Sequence, residues 1–231
     1  MQGVLVPKKL PAGLSAFMTT GEGPAFTRRS FASGQSVPEL EALGIKNLVT
    51  LHQVHGSDVI KVGLGGMFAA NGAEADGLFT KERGLALGIL TADCFPVLLA
   101  GERHIAALHC GWRSTVHGII EKAAVLFEKA DDRPSYAYVG AGISADSFEV
   151  KEDFTLAVSG LFSPEPWLKR KDSGLYFDLE GLITDKLVQV GLRDIECAGL
   201  CTVKDERFFS YRRAPGELRR MLSIIMWNNE R

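Results

Sequence analysis

Three side chains in the first half of the sequence have the chemistry of metal ligands or nucleophiles: His55, Cys94 and His109. Two imidazoles, one thiolate and one open coordination position make up the composition of a catalytic zinc site, and the same ligand types also suit copper. Without a metal, Cys94 as nucleophile and His109 as base would instead form the dyad of a cysteine hydrolase. Cys94 or His109 taken singly is also compatible with an inert buried position. Spacing alone does not decide between these alternatives.

Two charged residues, Asp93 and Arg113, lie close to these candidates in the sequence. We interpret Asp93 as a proton carrier or as the partner that orients a ligand histidine. Arg113 follows His109 at a predicted helix start, where backbone N–H groups and a planar guanidinium would attract phosphate. The alternative for Arg113 is a structural ion pair near Trp112. These features favour an anionic co-substrate at this end of the site.

Buried strands must position most of these side chains. Apolar runs bounded by glycine and charged residues predict strands over Leu85–Leu90, Val97–Ala100 and Ile105–Leu108. Asp93 and Cys94 then lie where the first strand stops and the second begins. His109 lies at the end of the third strand, just before the chain turns into a helix.

An upstream strand-like segment, Asn47–Val62, carries His52, Gln53 and His55. Alternate residues of a strand share a face. Gln53 and His55 would therefore point to one side of this segment and His52 to the other. One histidine of the pair is thus placed to face the site.

The remaining patterns predict elements along the rest of the chain, with Ser114 and Thr115 as plausible N-caps of the helix after His109. In chain order they are a short strand near Ala16–Thr20, a helix from Pro38 to Leu43, a loop over Gly63–Gly77 in which a helix over Phe68–Ala75 would be marginal, a helix continuing to Phe127, a strand over Tyr136–Val139, a helix over Val150–Phe162, a loop over Phe162–Ser173, a helix from Tyr176 to about Val190, a strand over Asp194–Ala198 and a terminal strand over Met221–Trp227.

The composition is that of a soluble globular protein. Apolar residues make up 46% and charged residues 23% of 231 residues, and no compositional shift marks a boundary, so we expect one domain over residues 1–231. A net charge of −2 argues against a nucleic-acid partner. No apolar run approaches the roughly 20 residues that span a membrane. Without a signal-peptide pattern, and with only four cysteines, we expect a cytoplasmic protein. The oligomeric state is left open.

Several motifs, taken together, lead to a resemblance. They are Gln53-Val54-His55-Gly56, Ala75-Asp76-Gly77-Leu78, Leu90-Thr91-Ala92-Asp93-Cys94-Phe95-Pro96-Val97-Leu98-Leu99, His109-Cys110-Gly111-Trp112-Arg113, Gly140-Ala141-Gly142-Ile143, Phe148-Glu149-Val150, Tyr176-Phe177-Asp178-Leu179, Cys201-Thr202 and Phe208-Phe209-Ser210-Tyr211-Arg212-Arg213. From about Leu51 to the C-terminus the chain resembles the YfiH-like family. Members of that family have been called polyphenol oxidase or multicopper laccase, peptidoglycan editing factor and purine nucleoside phosphorylase.

The resemblance implies an α+β fold in which two mixed β-sheets pack between helices, in four layers. It implies a metal, usually zinc with copper as the alternative, on His55, Cys94 and His109. It implies phosphorolysis of adenosine, inosine and methylthioadenosine to the free base and ribose 1-phosphate, with adenosine deamination as a side activity. The expected partners are thus a small nucleoside and phosphate. By the same resemblance, the substrate-binding candidates are Gln53, Asp178 and Arg212.

Two other enzyme functions stay open from the sequence. One is a cysteine hydrolase or amidase that edits cell-wall precursors with Cys94 as nucleophile and His109 as base. The other is a copper-dependent polyphenol oxidase of laccase type. A true multicopper oxidase needs many more histidines than the five in this chain, which ranks that function last. A non-catalytic binding module is the remaining alternative.

Overall fold

The computed structural model describes residues 3–31 and 38–229. Its β-strands are β1 (Val4–Leu5), β2 (Leu14–Thr19), β3 (Asn47–Val49), β4 (Val59–Lys61), β5 (Gly77–Thr80), β6 (Leu85–Thr91), β7 (Phe95–Ala100), β8 (Ile105–Cys110), β9 (Tyr136–Val139), β10 (Glu149–Val150), β11 (Leu168–Lys171), β12 (Gly174–Phe177), β13 (Asp194–Cys197) and β14 (Met221–Trp227). Its α-helices are α1 (Pro38–Glu41), α2 (Met67–Ala70), α3 (Trp112–Val116), α4 (Ile119–Lys129), α5 (Glu152–Ser159) and α6 (Leu179–Gln189). Short 3-10 helices cover Arg28–Phe31, Leu64–Gly66 and Glu165–Trp167.

Two large mixed sheets carry the fold. One has the strand order β1-β2-β14-β6-β3, and the other has the order β13-β9-β7-β8-β5-β4. Most neighbours are antiparallel, but β3 runs parallel to β6, β4 to β5 and β13 to β9. A small third sheet, β10-β12-β11, lies beside them. The predicted α+β class with two mixed sheets is confirmed.

The hydrophobic clusters show how these layers stack. One cluster joins the six-stranded sheet to α4, α5 and α6, with Phe127 and Leu187 among its members. A second joins the facing surfaces of the two large sheets and includes Leu87 of β6 and Leu98 of β7. A third covers the outer face of the five-stranded sheet with Leu40 of α1. The order is therefore helix, sheet, sheet and helix. The three central strands β6, β7 and β8 are buried along their whole length, which explains their continuous apolar sequences.

The helix predicted to run on to Phe127 is divided in two. Gly118 has a φ of +82°, and this left-handed residue ends α3 after five residues and begins α4. Ser114 and Thr115 are not N-caps as predicted, because the first helix begins after Gly111. The Thr115 hydroxyl instead donates back to the Gly111 carbonyl oxygen (2.8 Å).

The prediction of one strand-like segment over Asn47–Val62 is also wrong. β3 and β4 are separate strands at the edges of different sheets, and the residues between them are irregular. His55 itself has a φ of +61°, which no strand residue adopts. Gln53 and His55 therefore do not share a face through strand alternation.

Further along the chain, two short strands, β11 and β12, lie where the sequence predicted a loop and the start of a helix. The predicted loop over Phe162–Ser173 contains β11, which pairs with β12 in a hairpin, so the prediction of a helix from Tyr176 was wrong at its start. β11 is an exposed edge strand of charged residues, and its polarity concealed it in the sequence. The predicted loop over Gly63–Gly77 contains α2, and its last residue begins β5. The expectation of one domain stays a prediction.

Candidate metal centre

Three residues from different parts of the fold meet at one end of the two sheets. The ligand atoms of His55, Cys94 and His109 all lie within 4.8 Å of one another. His109 is buried, Cys94 is half-buried and His55 is exposed, so the cluster opens to solvent on one side. The two imidazole rings meet edge to face with their centroids 4.9 Å apart. The three residues form a compact set of nitrogen and sulfur donors with one accessible face.

The central strands bring Cys94 and His109 together. Cys94 lies in the tight turn between β6 and β7, where Asp93 adopts a φ of +88° that aspartate tolerates better than most residues. His109 lies near the end of β8, which pairs with β7 in an antiparallel register that places Phe95 opposite Cys110. Cys94, which directly precedes β7, and His109, the last residue but one of β8, are therefore brought to the same end of this strand pair.

Gly111 completes the cradle of the site. A Cβ atom at this position would lie 3.0 Å from Cys94 Sγ and 3.5 Å from His55 Cδ2. The missing side chain therefore allows the backbone to approach both ligand side chains closely. Glycine is needed here because a side chain would crowd Cys94 and His55. Its backbone conformation, with a φ of −77°, is open to any residue.

The fully buried carboxylate of Asp76 holds two sides of the cluster. His109 Nδ1 donates to Asp76 Oδ1 (2.7 Å), and the backbone N–H of His55 donates to the same oxygen (3.0 Å). Burial alone would raise the pKa of Asp76, but the hydrogen bonds from His109 and from backbone N–H groups lower it below its ordinary value. An ionised Asp76 that accepts the hydrogen bond from Nδ1–H leaves His109 Nε2 to face Cys94. In the sequence this aspartate belongs to the motif Ala75-Asp76-Gly77-Leu78, and nothing in that pattern indicates its role.

Cys94 and His109 favour the charged forms together. Burial opposes ionisation of the thiol, but the charge and hydrogen bond of His109, with a hydrogen bond from His55, lower the pKa of Cys94 to about 6. Burial likewise opposes protonation of the imidazole, but the Cys94 thiolate and Asp76 raise the pKa of His109 to about 9. Without metal, the two shifts favour a thiolate beside an imidazolium. A thiolate is the form that binds metals and attacks carbonyl groups.

The donor set fits a zinc or copper ion. One thiolate and two imidazoles are ligands that both metals prefer, and structural zinc sites add a fourth protein ligand where catalytic ones stay open. The carboxylate behind His109 is a usual partner of a ligand histidine. The space left by Gly111 is consistent with a group held between Cys94 and His55. Among residues 3–31 and 38–229 this is the one such cluster of three or more potential ligands.

The cluster lies in a pocket of about 380 Å³, which is within the size range of small-molecule sites. Its walls are mostly apolar and aromatic, with two arginines. The lining residues are Leu51, Gln53, His55, Leu90, Ala92, Asp93, Cys94, His109, Trp112, Ile143, Phe148, Leu179, Tyr211, Arg212 and Arg220.

Two of the substrate-binding candidates, Arg212 and Gln53, line this pocket. The Arg212 guanidinium donates through Nη1 to the carbonyl oxygens of Ser147 (3.3 Å) and Glu149 (3.2 Å). Gln53 is buried, and its amide donates to the Leu90 carbonyl (2.7 Å) and accepts from the Leu90 N–H (2.9 Å). Gln53 therefore joins the irregular segment to β6. Whether either residue contacts a substrate stays a prediction.

Asp93 is engaged on both carboxylate oxygens. It accepts from Thr202 Oγ1 (2.7 Å) and from the Arg212 backbone N–H (2.7 Å). It makes no hydrogen bond to a ligand histidine among the described residues, and Asp76 occupies that position instead. Asp93 therefore holds the Arg212 segment against the pocket, and its expected role as a proton carrier stays a prediction.

Asp178 and Arg113 do not line the pocket within the described part of the chain. Asp178 is the N-cap of α6, where it accepts from the Gly181 N–H (3.0 Å) and pairs with Lys169 Nζ (2.7 Å). Arg113 is exposed and stacks on Trp112, with its guanidinium carbon 4.2 Å from the ring centroid. α3 has only five residues, so the expected helix-dipole attraction for phosphate is weaker than the sequence suggested.

The fold and the site together define an α+β protein of two mixed sheets with a His/Cys cluster in the lining of a pocket. The chain belongs to the family described as multi-copper polyphenol oxidoreductase laccase, whose sequence model matches residues 35–228. It is 34% identical over 179 residues to a purine nucleoside phosphorylase of Deinococcus radiodurans, covering 76% of this chain and 68% of that protein. It is also 34% identical over 174 residues to purine nucleoside phosphorylase YfiH of Escherichia coli K12, covering 71% and 68%.

Solved structures agree with this assignment. YlmD from Geobacillus stearothermophilus superposes with a TM-score of 0.78 at 27% identity, covering 94% of this chain and 93% of that one. A Neisseria meningitidis protein superposes with a TM-score of 0.79 at 25% identity, covering 98% and 100%. The resemblance to the YfiH-like family is confirmed. Separately, no helix in the described residues has the length and apolar character needed to cross a membrane.

Proposed function

We propose that this protein is a metal-dependent purine nucleoside phosphorylase. It converts adenosine, inosine or methylthioadenosine and phosphate to the free base and ribose 1-phosphate, and it deaminates adenosine as a side activity. The observation that carries the proposal is the cluster of His55, Cys94 and His109 in the lining of the pocket, in a chain whose relatives are named purine nucleoside phosphorylases. We assign zinc as the metal, with copper as the alternative.

The pocket suits the two halves of a nucleoside reaction. Trp112, Phe148 and Tyr211 offer aromatic surface on which a flat purine would stack. Arg212 offers a guanidinium, whose planar fork matches two oxygens of a phosphate. Its Nη1 is held by two carbonyl oxygens, and its Nε and Nη2 have no partner among the described residues. We assign phosphate binding first to Arg212, with Arg113 behind Trp112 as a further contributor.

In phosphorolysis a phosphate oxygen bonds to C1′ of the ribose while the bond from C1′ to the purine nitrogen breaks. The electron pair of that bond leaves with the base, which takes up a proton. The attacking phosphate gives up a proton as it bonds to C1′. We assign Asp93 as the carrier that accepts this proton and passes it to the base, because each of its carboxylate oxygens keeps a lone pair beyond the one hydrogen bond it accepts. A divalent ion on the three ligands would supply Lewis-acid chemistry, polarising a substrate oxygen and lowering the pKa of water. Deamination at C6 of adenosine needs water but no phosphate, so the two reactions should differ in their dependence on the arginines.

The proposal is tested by assaying adenine and ribose 1-phosphate from adenosine with and without phosphate. The wild-type protein loaded with zinc should require phosphate and release ribose 1-phosphate. Cys94→Ala should lose both metal and activity. Cys197→Ala is the matched control, because Cys197 is exposed on β13 and does not line the pocket. Release of free ribose, or full activity in Cys94→Ala, would contradict the proposal.

A cysteine hydrolase is the second candidate, and one observation favours it. The Cys94 thiolate lies beside the His109 imidazolium, which in turn donates to the Asp76 carboxylate. Cysteine proteases use the same kind of arrangement. This enzyme would work without metal. Protein stripped of metal should then cleave an amide substrate at full rate and be inactivated by iodoacetamide at Cys94. Loss of all activity on stripping, restored by zinc, would contradict this candidate.

The laccase function in the family's description has less support from this chain. Of its five histidines, two belong to the cluster described above. A copper-loaded protein that oxidises phenols more slowly than it cleaves adenosine would place that reaction among side activities.

A further inference from the structure

We infer that Asp76 is a positioning residue that sets the metal affinity of the cluster by holding both histidine ligands at once. The inference rests on the metal site of the proposed function, and it is independent of the nucleoside chemistry. Neither the family match nor the relatives' names assign a role to this residue.

The Asp76 carboxylate has no remaining hydrogen-bonding capacity. Oδ1 accepts from His109 Nδ1 (2.7 Å) and the His55 N–H (3.0 Å), and Oδ2 accepts from the N–H groups of Val54 (3.1 Å) and Gly56 (2.7 Å). A carboxylate offers about four lone-pair sites. All four are used, and the group is fully buried.

The four donors come from two separate parts of the fold. Three belong to the irregular segment around His55, whose φ of +61° would be costly without support. The fourth is the ring of His109 at the end of β8. One carboxylate therefore fixes the backbone of one ligand and the ring of the other.

The bond to Nδ1 also decides which nitrogen of His109 serves as the ligand. With Nδ1–H donated to Asp76, the nitrogen left for a metal is Nε2, on the side of Cys94. Asparagine at position 76 has the same shape but only one accepting atom. It would lose the N–H groups on one side or turn a donor toward His109, and either change would disturb a ligand.

The chain contains a matched control in Asp132. This buried carboxylate also accepts from a histidine ring, His104 Nδ1 (2.9 Å), and from neighbouring backbone N–H groups that include those of Arg103 (3.0 Å) and Glu102 (3.0 Å). It joins the β7–β8 turn to the end of α4 and does not line the pocket. Asp132→Asn therefore removes the same kind of bond at a place without metal ligands.

The experiment measures zinc affinity by competition with a chromophoric chelator on metal-stripped wild type, Asp76→Asn and Asp132→Asn, with the free energy of unfolding in urea measured beside it. Asp76→Asn should bind zinc about 10- to 100-fold more weakly, in the range found for partners of ligand histidines. Asp132→Asn should lose stability but keep the wild-type zinc affinity. Wild-type affinity in Asp76→Asn, or an equal loss in Asp132→Asn, would overturn the inference and leave the proposed function standing. A wild-type protein that binds no zinc would overturn both.

A second measurement uses the wild-type protein, so its result does not depend on whether a variant folds. In the zinc-loaded wild-type protein, nitrogen-15 NMR of the histidine rings should show a protonated, exchange-protected Nδ1 in His109 and zinc on Nε2. A zinc-bound or unprotonated Nδ1 would overturn the inference, because Asp76 could not then orient the ring.

Discussion

Replacing Gly111 by alanine tests the cradle of the metal centre. The new Cβ atom would lie 3.0 Å from Cys94 Sγ and 3.5 Å from His55 Cδ2, whereas heavy atoms pack best at about 3.5–4.0 Å. The backbone at Gly111, with φ −77° and ψ 169°, is one that alanine adopts without strain. The substitution therefore acts through the displaced ligands and not through the main chain.

The size of the effect follows from the crowding. Overpacking a tight site by one methyl group costs about 1–3 kcal/mol. At about 1.4 kcal/mol per tenfold, that range predicts a loss of about 5- to 150-fold in metal affinity. We expect the cost to fall on the loaded state, because Cys94 and His55 can turn away from the new methyl group in the metal-free protein, whereas a shared ion would hold both beside it. Zinc competition and the phosphorolysis assay should both report the loss.

The control for this variant is Gly160→Ala. Gly160 is the C-cap of α5, and a Cβ there would meet nothing within 4 Å. It should keep the wild-type zinc affinity. If Gly111→Ala binds zinc as tightly as the wild type, the crowding is absorbed elsewhere and the cradle argument is refuted.

Three further predictions concern ionisation, phosphate and the helix break. In the metal-free protein, alkylation of Cys94 should titrate with a midpoint near pH 6 because His109 lowers its pKa, and His109→Ala should move the midpoint up toward 9. The folded pKa of Cys94 lies below its unfolded value and that of His109 lies above its unfolded value, so the stabilisation from the thiolate–imidazolium pair is lost as the pH falls through about 6 and as it rises through about 9; thermal unfolding of the metal-free protein should therefore show the highest stability between these pH values. Arg212→Lys should raise the KM for phosphate by about tenfold with little effect on deamination, since Lys lacks the planar fork. Arg113→Lys should raise this KM less. Equal losses of phosphorolysis and deamination in Arg212→Lys would contradict the phosphate role. Gly118→Ala should lower the free energy of unfolding by about 1 kcal/mol, because alanine is strained at φ +82°; an unchanged urea midpoint would show that the chain relaxes there.

Local sequence patterns determined much of the framework. Continuous apolar runs predicted β6, β7 and β8, and the same kind of run predicted β9 and β14. These strands are buried on both faces, so consecutive residues along each strand are apolar and the pattern is visible in the sequence. Edge elements such as β11 were missed, because exposed strands of the chain carry charged residues that also suit a loop.

The candidate ligands could also be named from the sequence, through residue type and family motif. The residues that hold these ligands in place could not be named in this way. Asp76 and His109 are 33 residues apart, and Asp93 and Arg212 are 119 apart. Neither pair leaves a periodic signal in the chain. The role expected for Asp93 as the partner of a ligand histidine belongs by geometry to Asp76.

Tertiary structure alone decided which polar groups meet. Burying a carboxylate is costly unless donors saturate it, so the fold must bring such donors from wherever they lie in the sequence. At Asp76 they come from an irregular segment with a positive-φ histidine and from the end of a central strand. Apolar burial depends on residue type at each position, and the sequence records it directly. Hydrogen-bond saturation depends on the distances between segments, and these exist only once the sheets have packed.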